Sequence, residues 1–434
     1  MISEPHPSDS VWRNGAFVRL WVAQAITQTA QNAIWYGLLV LVEQVSHSST
    51  QLSITILSVI LPSILFGVPA GVYVDRWDKR AVLIGTNLAR FFIVASYVLL
   101  SSTLALLYAV SFLFSVVSQF FGPAELAMIP TVVGRRRLME ATSLFHLTFT
   151  TSQLVGLVFL GPVIVKLLGT QTFFLVAAGL YGVCTILVWA LPRQLRGEEE
   201  PATERSAVAE MISEVREVTS LVLADRVMLW SMVYWTVGVG LTLMVAMVAP
   251  RFVVDVLGIA AEDAIFIVGP AFGGTVLAAG LLSRSGSIGT WKARHGLILK
   301  GLSVVAVALT TIAAFPAVAR GAGLLRPQGV AVDFMTQADL LVAAGVMLAT
   351  FVGGFGFTAV MVGSQTSLQD RAPEDARGRV FAVQLMLGNL CSAVPLVFFG
   401  GIADLVGVGR VMFVLAGVVL VIALVGRRAA PAEG

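Results

Sequence analysis

Apolar residues run along this chain in long blocks, and each block is stopped by a short polar or glycine-containing break. A helix needs about 20 mostly apolar residues to cross the hydrocarbon core of a bilayer. Blocks of that kind lie near residues 17–42, 51–74, 81–101, 103–128, 139–165, 170–191, 226–250, 263–283, 294–318, 339–366, 379–403 and 408–426. The pattern predicts an all-α membrane protein with twelve transmembrane helices in two six-helix bundles. The first block is too long and too polar for a secretory signal, and no small-residue cleavage site follows it, so it is expected to stay in the mature protein. The longest polar stretch, 192–225, opens with the charged run RGEEEPATERS. Then Val208, Met211, Ile212, Val215, Val218 and Val222 recur at helical spacing opposite Glu210, Glu214 and Glu217. This reads as an amphipathic helix lying on the inner membrane face. It divides the chain into bundles 1–191 and 226–434, with 192–225 as a cytoplasmic linker. The outer connection 319–338, with Gly321, Gly323, Pro327 and Gly329, reads as a flexible loop.

Composition agrees. The chain is 57% hydrophobic and only 12% charged, with a mean hydropathy of +0.89, whereas a soluble domain is about a quarter charged. Of the 28 Lys and Arg, an inside N-terminus places 21 on the inner side and five outside, with Arg90 and Lys300 inside spans. Inner loops carry the basic excess in membrane proteins, so both termini are expected in the cytoplasm of a cell-membrane protein. The basic balance is then a topology signal and gives no reason to invoke nucleic acid. The cysteines, Cys184 and Cys391, lie in apolar runs and read as small packing residues. Four histidines with no HExxH or CxxC give metal chemistry no support, and no cofactor is implied.

Charge is concentrated in GVYVDRWDKR, residues 71–80, in the inner turn between spans two and three. A solvated basic turn explains Arg76, Lys79 and Arg80, but not Asp75 and Asp78. Gly71 allows a second helix to approach closely. Asp75, one turn later, is placed to accept hydrogen bonds at the N-terminus of a helix in the other half, where the dipole favours an anion. Arg76 and Arg80 are expected to reach carbonyls or acids there. The halves also echo each other, since Gly280 precedes Arg284 after span eight as Gly71 precedes Asp75–Arg76 after span two. Such internal repeats mark secondary transporters with a site between halves.

The pattern G-x-x-x-D-R-x-D-K-R resembles the loop-2/3 signature of the major facilitator superfamily. Asp78 in place of the usual Gly, FFGPAELAMIP at 120–130 with Pro123 and Pro130, and LQDRAPEDARGRV at 368–380 resemble its branch of macrolide and siderophore exporters. The resemblance implies the major facilitator fold, alternating access, and Asp75 docking at the start of span eleven near Arg377 and Arg379. The drug-antiporter signature of span five is present only as Gly161–Pro162. The GPAFGG at 269–274 falls in span eight and reads as small-residue helix packing.

Gln24, Gln28, Gln31 and Trp35 share one face of span one. They read either as the wall of a polar cavity or as hydrogen-bond glue between helices. Tyr234 with Trp230 in span seven, and Met361 and Gln365 with Thr358 in span ten, are further candidates to line the path. Amides, aromatics and methionine suit an amphiphilic, uncharged or cationic small molecule. Arg90 follows Arg80 by ten helical residues, about 15 Å into a core about 30 Å thick. Glu125 in span four, and His146 in span five, fall at comparable depth. Intramembrane ionisable residues are functional candidates. Arg90 either braces the bundle through carbonyls or partners Glu125 as a proton carrier that switches between buried and solvated surroundings.

The expected function is secondary active export of amphiphilic small molecules, with efflux, antiport and multidrug resistance as its hallmarks, the proton as coupling ion, the lipid bilayer as surroundings and a monomer as the working unit. A nutrient or metabolite importer on the same fold is the alternative, followed by a non-transporting membrane sensor. No nucleophile–base constellation or Walker-type loop suggests an enzyme. If Asp75 is a latch, Asp75→Asn should cut transport and raise cysteine accessibility at the inner end while leaving membrane insertion intact; parental transport in that variant would show the latch to be wrong.

Overall fold

The computed structural model describes residues 11–100, 103–133, 137–191, 204–284, 290–322, 337–373 and 376–429. The charged run at 192–203, residues 323–336 of the outer connection, and the side chains of Asp75 and His146 lie outside what is described. Among the described residues the chain is helical, without a strand. The helices are α1 (Gly15–Ser46), α2 (Ser49–Arg76), α3 (Lys79–Leu100), α4 (Leu104–Val133), α5 (Leu138–Leu154), α6 (Gly161–Trp189), α7 (Glu204–Ala224), α8 (Arg226–Phe252), α9 (Ala264–Val268), α10 (Pro270–Arg284), α11 (Trp291–Gly321), α12 (Gln337–Arg371), α13 (Arg377–Val406) and α14 (Val408–Ala429). Wider π turns follow α5 at Val155–Leu160 and α8 at Val253–Leu257.

Ten stretches are long and apolar enough to cross a membrane. α1 is not among them, because Gln24, Gln28, Gln31 and Asn32 lower its hydropathy. The stretch Glu140–Trp189 counts once although it is broken at Gly169, with φ 76° and ψ 164°, a conformation open in practice only to glycine. Adding α1 and dividing that stretch recovers the twelve segments of the hydrophobic pattern, with α9 and α10 together making span eight.

Helix starts are set by local chemistry. Asn14 Oδ1 accepts from the amides of Ala16 and Phe17 at 3.0 and 3.2 Å, Asp78 Oδ1 from Arg80 and Ala81 at 2.8 and 3.1 Å, and Asp225 Oδ1 from Val227 and Met228 at 2.7 and 3.2 Å. Each cap satisfies amides that the helix leaves open, worth about 1 kcal/mol. Asp78 thereby finds its reason: it begins α3.

The chain forms two compact units, Met1–Val45 with Leu57–Ala209, and Ser46–Ile56 with Glu210–Gly434. In the first, α3 packs on α4 and α6. In the second, α11 packs on α12 and α14, α12 on α10, and α8 on α12 and α13. The distribution of side chains is inverted relative to a soluble protein. Leu405 is 87% exposed and Leu99 82%, while Arg90, Tyr97, Tyr181 and Tyr234 are fully buried. Lipid is as apolar as leucine, so association relies on close packing and polar contacts.

Glycine provides the closeness. A Cβ on Gly274 would collide with the Phe351 carbonyl and come within 2.9 Å of the Phe355 nitrogen, and one on Gly354 would collide with the backbone of Ala271. The GPAFGG stretch is thus the α10–α12 crossing. Gly71 behaves otherwise: among the described residues a Cβ there would meet nothing within 4 Å.

α7 differs from a helix resting on lipid. Val218 and Val222 are buried against Met228, Leu368, Ala372 and Val380, so its apolar face covers the adjoining ends of α8, α12 and α13. Glu217 Oε2 accepts from Arg379 Nη1 at 2.9 Å, and Asp225 Oδ2 lies 3.8 Å from Arg371 Nη1. The crossing predicts that Gly274→Val destabilises by about 1–3 kcal/mol through overpacking, read as a lower Tm in detergent. Gly280→Ala, where a Cβ meets nothing within 4 Å, should not lower Tm, since alanine favours the helix over glycine; equal Tm values for the two variants would remove glycine closeness as the cause.

Candidate functional site

Within the N-terminal unit, α3 carries Arg90, which is 1% exposed, and α4 carries Glu125, which is 4% exposed. Aromatic rings surround the guanidinium: its carbon lies 4.4 Å from the centroid of Phe121, 5.6 Å from Tyr181 and 5.8 Å from Phe114. Those distances are within the range of cation–π attraction. Glu125, Tyr181 and Cys184 are its electrostatic neighbours. Yet Nε and Nη1 of Arg90, Oε1 of Glu125 and the Tyr181 hydroxyl find no hydrogen-bond partner among the described residues. Buried polar atoms are nearly always paired, and an unpaired buried charge is costly. A cluster with both donors and an acceptor open therefore has capacity to take up a proton, a water or a small polar group.

Topology assembles the cluster from four helices. Phe114, Phe121 and Glu125 recur on α4 at spacings of seven and four, which puts them on one face. Next to it, Thr27 Oγ1 on α1 donates to Asn87 Oδ1 on α3 at 3.5 Å, and Cys184 Sγ on α6 donates to the Ala23 carbonyl at 3.5 Å. Sequence reasoning found Arg90 and Glu125 by depth. It missed Tyr181, Asn87 and Thr27, whose only signal is polarity inside apolar blocks.

The amide face of α1 is divided. Gln24 is buried and its Nε2 donates to the Phe145 carbonyl of α5 at 3.4 Å, which is helix-to-helix bonding. Gln28, Gln31 and Trp35 are half-buried. The flanking faces of α1 are taken: Trp21 Nε1 donates to Thr148 Oγ1 of α5 at 2.8 Å, and a Cβ on Gly156 would lie 2.9 Å from Asn32 Cβ. On the other side sit Ala23 and Thr27, facing α6 and α3. The side-chain amides of Gln28 and Gln31 have no partner among the described residues.

The remaining candidates belong to the C-terminal unit. Tyr234 is fully buried; its hydroxyl is 2.9 Å from His295 Nε2 and abuts Gly426, so it sits inside helix packing. Met361 Cε abuts Gly238. Gln365 Oε1 accepts from Gln384 Nε2 at 3.0 Å, and Gln384 is completely buried with its own Oε1 open. In the charged turn, Arg80 Nη2 donates to the Trp189 carbonyl at the end of α6, in its own unit. Arg377 Nε donates to the Gln369 carbonyl at 3.2 Å, while Arg379 pairs with Glu217 as described.

The profile of the Major Facilitator Superfamily matches residues 20–336. The chain is 23% identical over 403 residues to the uncharacterized MFS-type transporter YfiS of Bacillus subtilis, covering 89% of this chain and 87% of that protein. It is 22% identical over 225 residues to a second such transporter of that organism, YkuC, covering 50% of this chain and 52% of that one. Among solved structures, the nucleoside transporter NupG superposes with a TM-score of 0.68 at 11% identity, covering 95% of this chain and 98% of that one. A bacterial homologue of the human lysosomal transporter Spinster gives 0.67 at 14% identity, covering 98% and 97%. At such identities the structures speak for the fold alone. With twelve helical segments, a buried ionisable cluster and a family profile across most of its length, the chain belongs to the Major Facilitator Superfamily and is a multi-pass membrane transporter.

Proposed function

We propose that this transporter exports amphiphilic, uncharged or cationic small molecules of the macrolide, drug or siderophore-like kind across the cell membrane, with both termini in the cytoplasm, by proton-coupled alternating access. The observation that carries the coupling is the Arg90–Glu125 cluster. A carboxyl buried in an aromatic-lined bundle beside a cation, with one of its oxygens unpartnered among the described residues, changes its proton affinity when water reaches it. The open amides of Gln28 and Gln31 with Trp35 support an amphiphilic ligand, since they offer hydrogen bonds beside an apolar surface. Gln24 fits better as glue. The motif resemblance at 71–80 and 368–380 supports export. The working unit is proposed as a monomer, with the bilayer, the substrate and the proton as its partners.

Efflux in everted vesicles under an imposed pH gradient, run against macrolides, dyes, siderophores and sugars, tests the reading. Glu125→Gln should keep substrate binding and lose dependence on the gradient. Arg90→Ala should impair both, because removing one partner of a buried charged pair costs about 3–5 kcal/mol. An unchanged gradient dependence in Glu125→Gln excludes this carboxylate as the coupling site.

Gln28→Leu separates the two roles of the amide face. A wall residue should shift the concentration for half-maximal transport by about tenfold, the equivalent of one lost hydrogen bond of about 1 kcal/mol or slightly more. A drop in Tm with unchanged concentration dependence identifies glue instead.

A further inference from the structure

Lys300 is a cation on the lipid face of a membrane span. It shares one face of α11 with Val307 and Val318, which are 65% and 68% exposed. Its own side chain is exposed and has no ion pair or hydrogen bond among the described residues. α11 has 31 residues, so it is about 46 Å long against a hydrocarbon core of about 30 Å. With the overhang shared between its ends, Lys300 stands about 5 Å inside the hydrocarbon. Charged residues in spans normally face the bundle interior, and this one does not. A helical side chain leans toward the N-terminus of its own helix, and α11 begins at the nearer membrane surface. The four-carbon stem therefore carries the ammonium back to the headgroup level.

Three more cations gather where that stem leads. Lys292 lies in the first turn of α11, and Arg427 and Arg428 lie in the last turn of α14; all three are exposed. The two helix ends meet within the C-terminal unit. His295 Nε2 of α11 lies 2.9 Å from the Tyr234 hydroxyl of α8, and a Cβ on Gly426, next to Arg427, would collide with that same hydroxyl. Trp291 stacks on His295 with ring centroids 5.0 Å apart, which seals the protein side of the seam. The neighbouring acid is already used, since Asp370 of α12 pairs with Arg294. Lys292, Arg427 and Arg428 have no such partner among the described residues. Four positive charges thus point away from the protein at one membrane surface, over two packed helices, and at the depth of Lys300 only lipid can cover them.

We propose that the α11–α14 seam of the C-terminal unit binds the headgroup of an anionic phospholipid, with Lys300 reaching it from within the membrane and Lys292, Arg427 and Arg428 from the membrane edge. A zwitterionic headgroup brings its own ammonium, which four cations repel, whereas a phosphatidylglycerol-type headgroup carries a net negative charge. Each nearby Lys or Arg contributes about fivefold to the affinity for such a lipid. The acyl chains have the exposed Val307 and Val318 of α11 to lie along. The inference goes beyond the transport reading: it needs α11 in a membrane, and neither the substrate nor the coupling site enters it.

The test needs no substrate. In a Cys391→Ser background, which leaves Cys184 buried, Ala293→Cys carries a fluorophore beside Lys292 at an exposed position. Phe92→Cys, at a position 62% exposed on α3 of the other unit, carries the control label. Each protein, purified in neutral detergent, is titrated with phosphatidylglycerol or phosphatidylcholine bearing a nitroxide near the top of one acyl chain, and quenching is read. Phosphatidylglycerol should quench Ala293→Cys at a concentration lower by about fivefold or more than phosphatidylcholine, and the two lipids should quench Phe92→Cys alike. Lys300→Gln should reduce the preference by about fivefold, Lys300→Arg should keep it, and Arg427→Gln combined with Arg428→Gln should lower it without altering the span. Equal quenching of Ala293→Cys by the two lipids overturns the site. The same preference at Phe92→Cys also overturns it, because it reports a general attraction to anionic lipid. A preference unchanged by Lys300→Gln or by the paired arginine substitutions overturns it as well. Displacement of the lipid by glycerol phosphate, which has the headgroup chemistry without the chains, assigns the cations to a soluble anion and overturns the lipid reading. If Lys300→Gln does not elute as a single species, the paired arginine substitutions decide the matter by the same two reporters.

Discussion

A bilayer offers the backbone no water to bond with, and every amide and carbonyl that crosses it must be satisfied within its own helix or by a neighbour. That requirement shapes the rest of the molecule. It leaves helices as the only spanning elements, and it removes the hydrophobic drive that would press them together in water. Packing must come from shape. Gly274 and Gly354 at the α10–α12 crossing, Gly301 against Gly356 between α11 and α12, and Gly156 against α1 all bring backbones to distances that a side chain would prevent. The large apolar side chains, such as Leu405 and Leu99, are left for the lipid.

The same requirement makes helix ends valuable. Acids are scarce in this chain, and several are spent there: Asp78 starts α3, Asp225 starts α8, and Asp404 starts α2 from a distance. The first two are local caps that fix where a span begins. The third joins two helices far apart in sequence, so the physics of a cap becomes a tertiary contact. Arg379, held by Glu217, and Arg371, beside Asp225, tie the linker region to α12 and α13 by similar means.

The Arg90–Glu125 cluster departs from this background. Elsewhere in the bundles, polar side chains mostly bond back to carbonyls of their own helix, as Thr86, Thr148 and Ser364 do. Arg90 is instead held by aromatic faces, with two of its nitrogens unsatisfied. A folded bundle tolerates such a group only where other packing supports it, and membrane proteins keep these groups chiefly where charge or protons move.

The sequence by itself determined the helical class and the order of the apolar spans, because the cost of placing polar residues in lipid is local and additive along about 20 residues. Depth along a helix was also legible, since rise per residue is fixed; it singled out Arg90 and Glu125 before their partners were known. α1 was legible as a span although its amides weaken the signal, and Asp78 was recognised as needing a purpose without showing that the purpose was a cap. Only the tertiary structure decided which residues meet. Tyr181 of α6 joins Arg90 of α3, and Asp404 reaches Ser49 across 355 positions. Likewise Arg80 turns to the Trp189 carbonyl of its own unit, and α7 lays its valines on protein instead of lipid. These pairings depend on how helices rotate and cross, and hydropathy carries no information about azimuth once both faces of a helix are apolar.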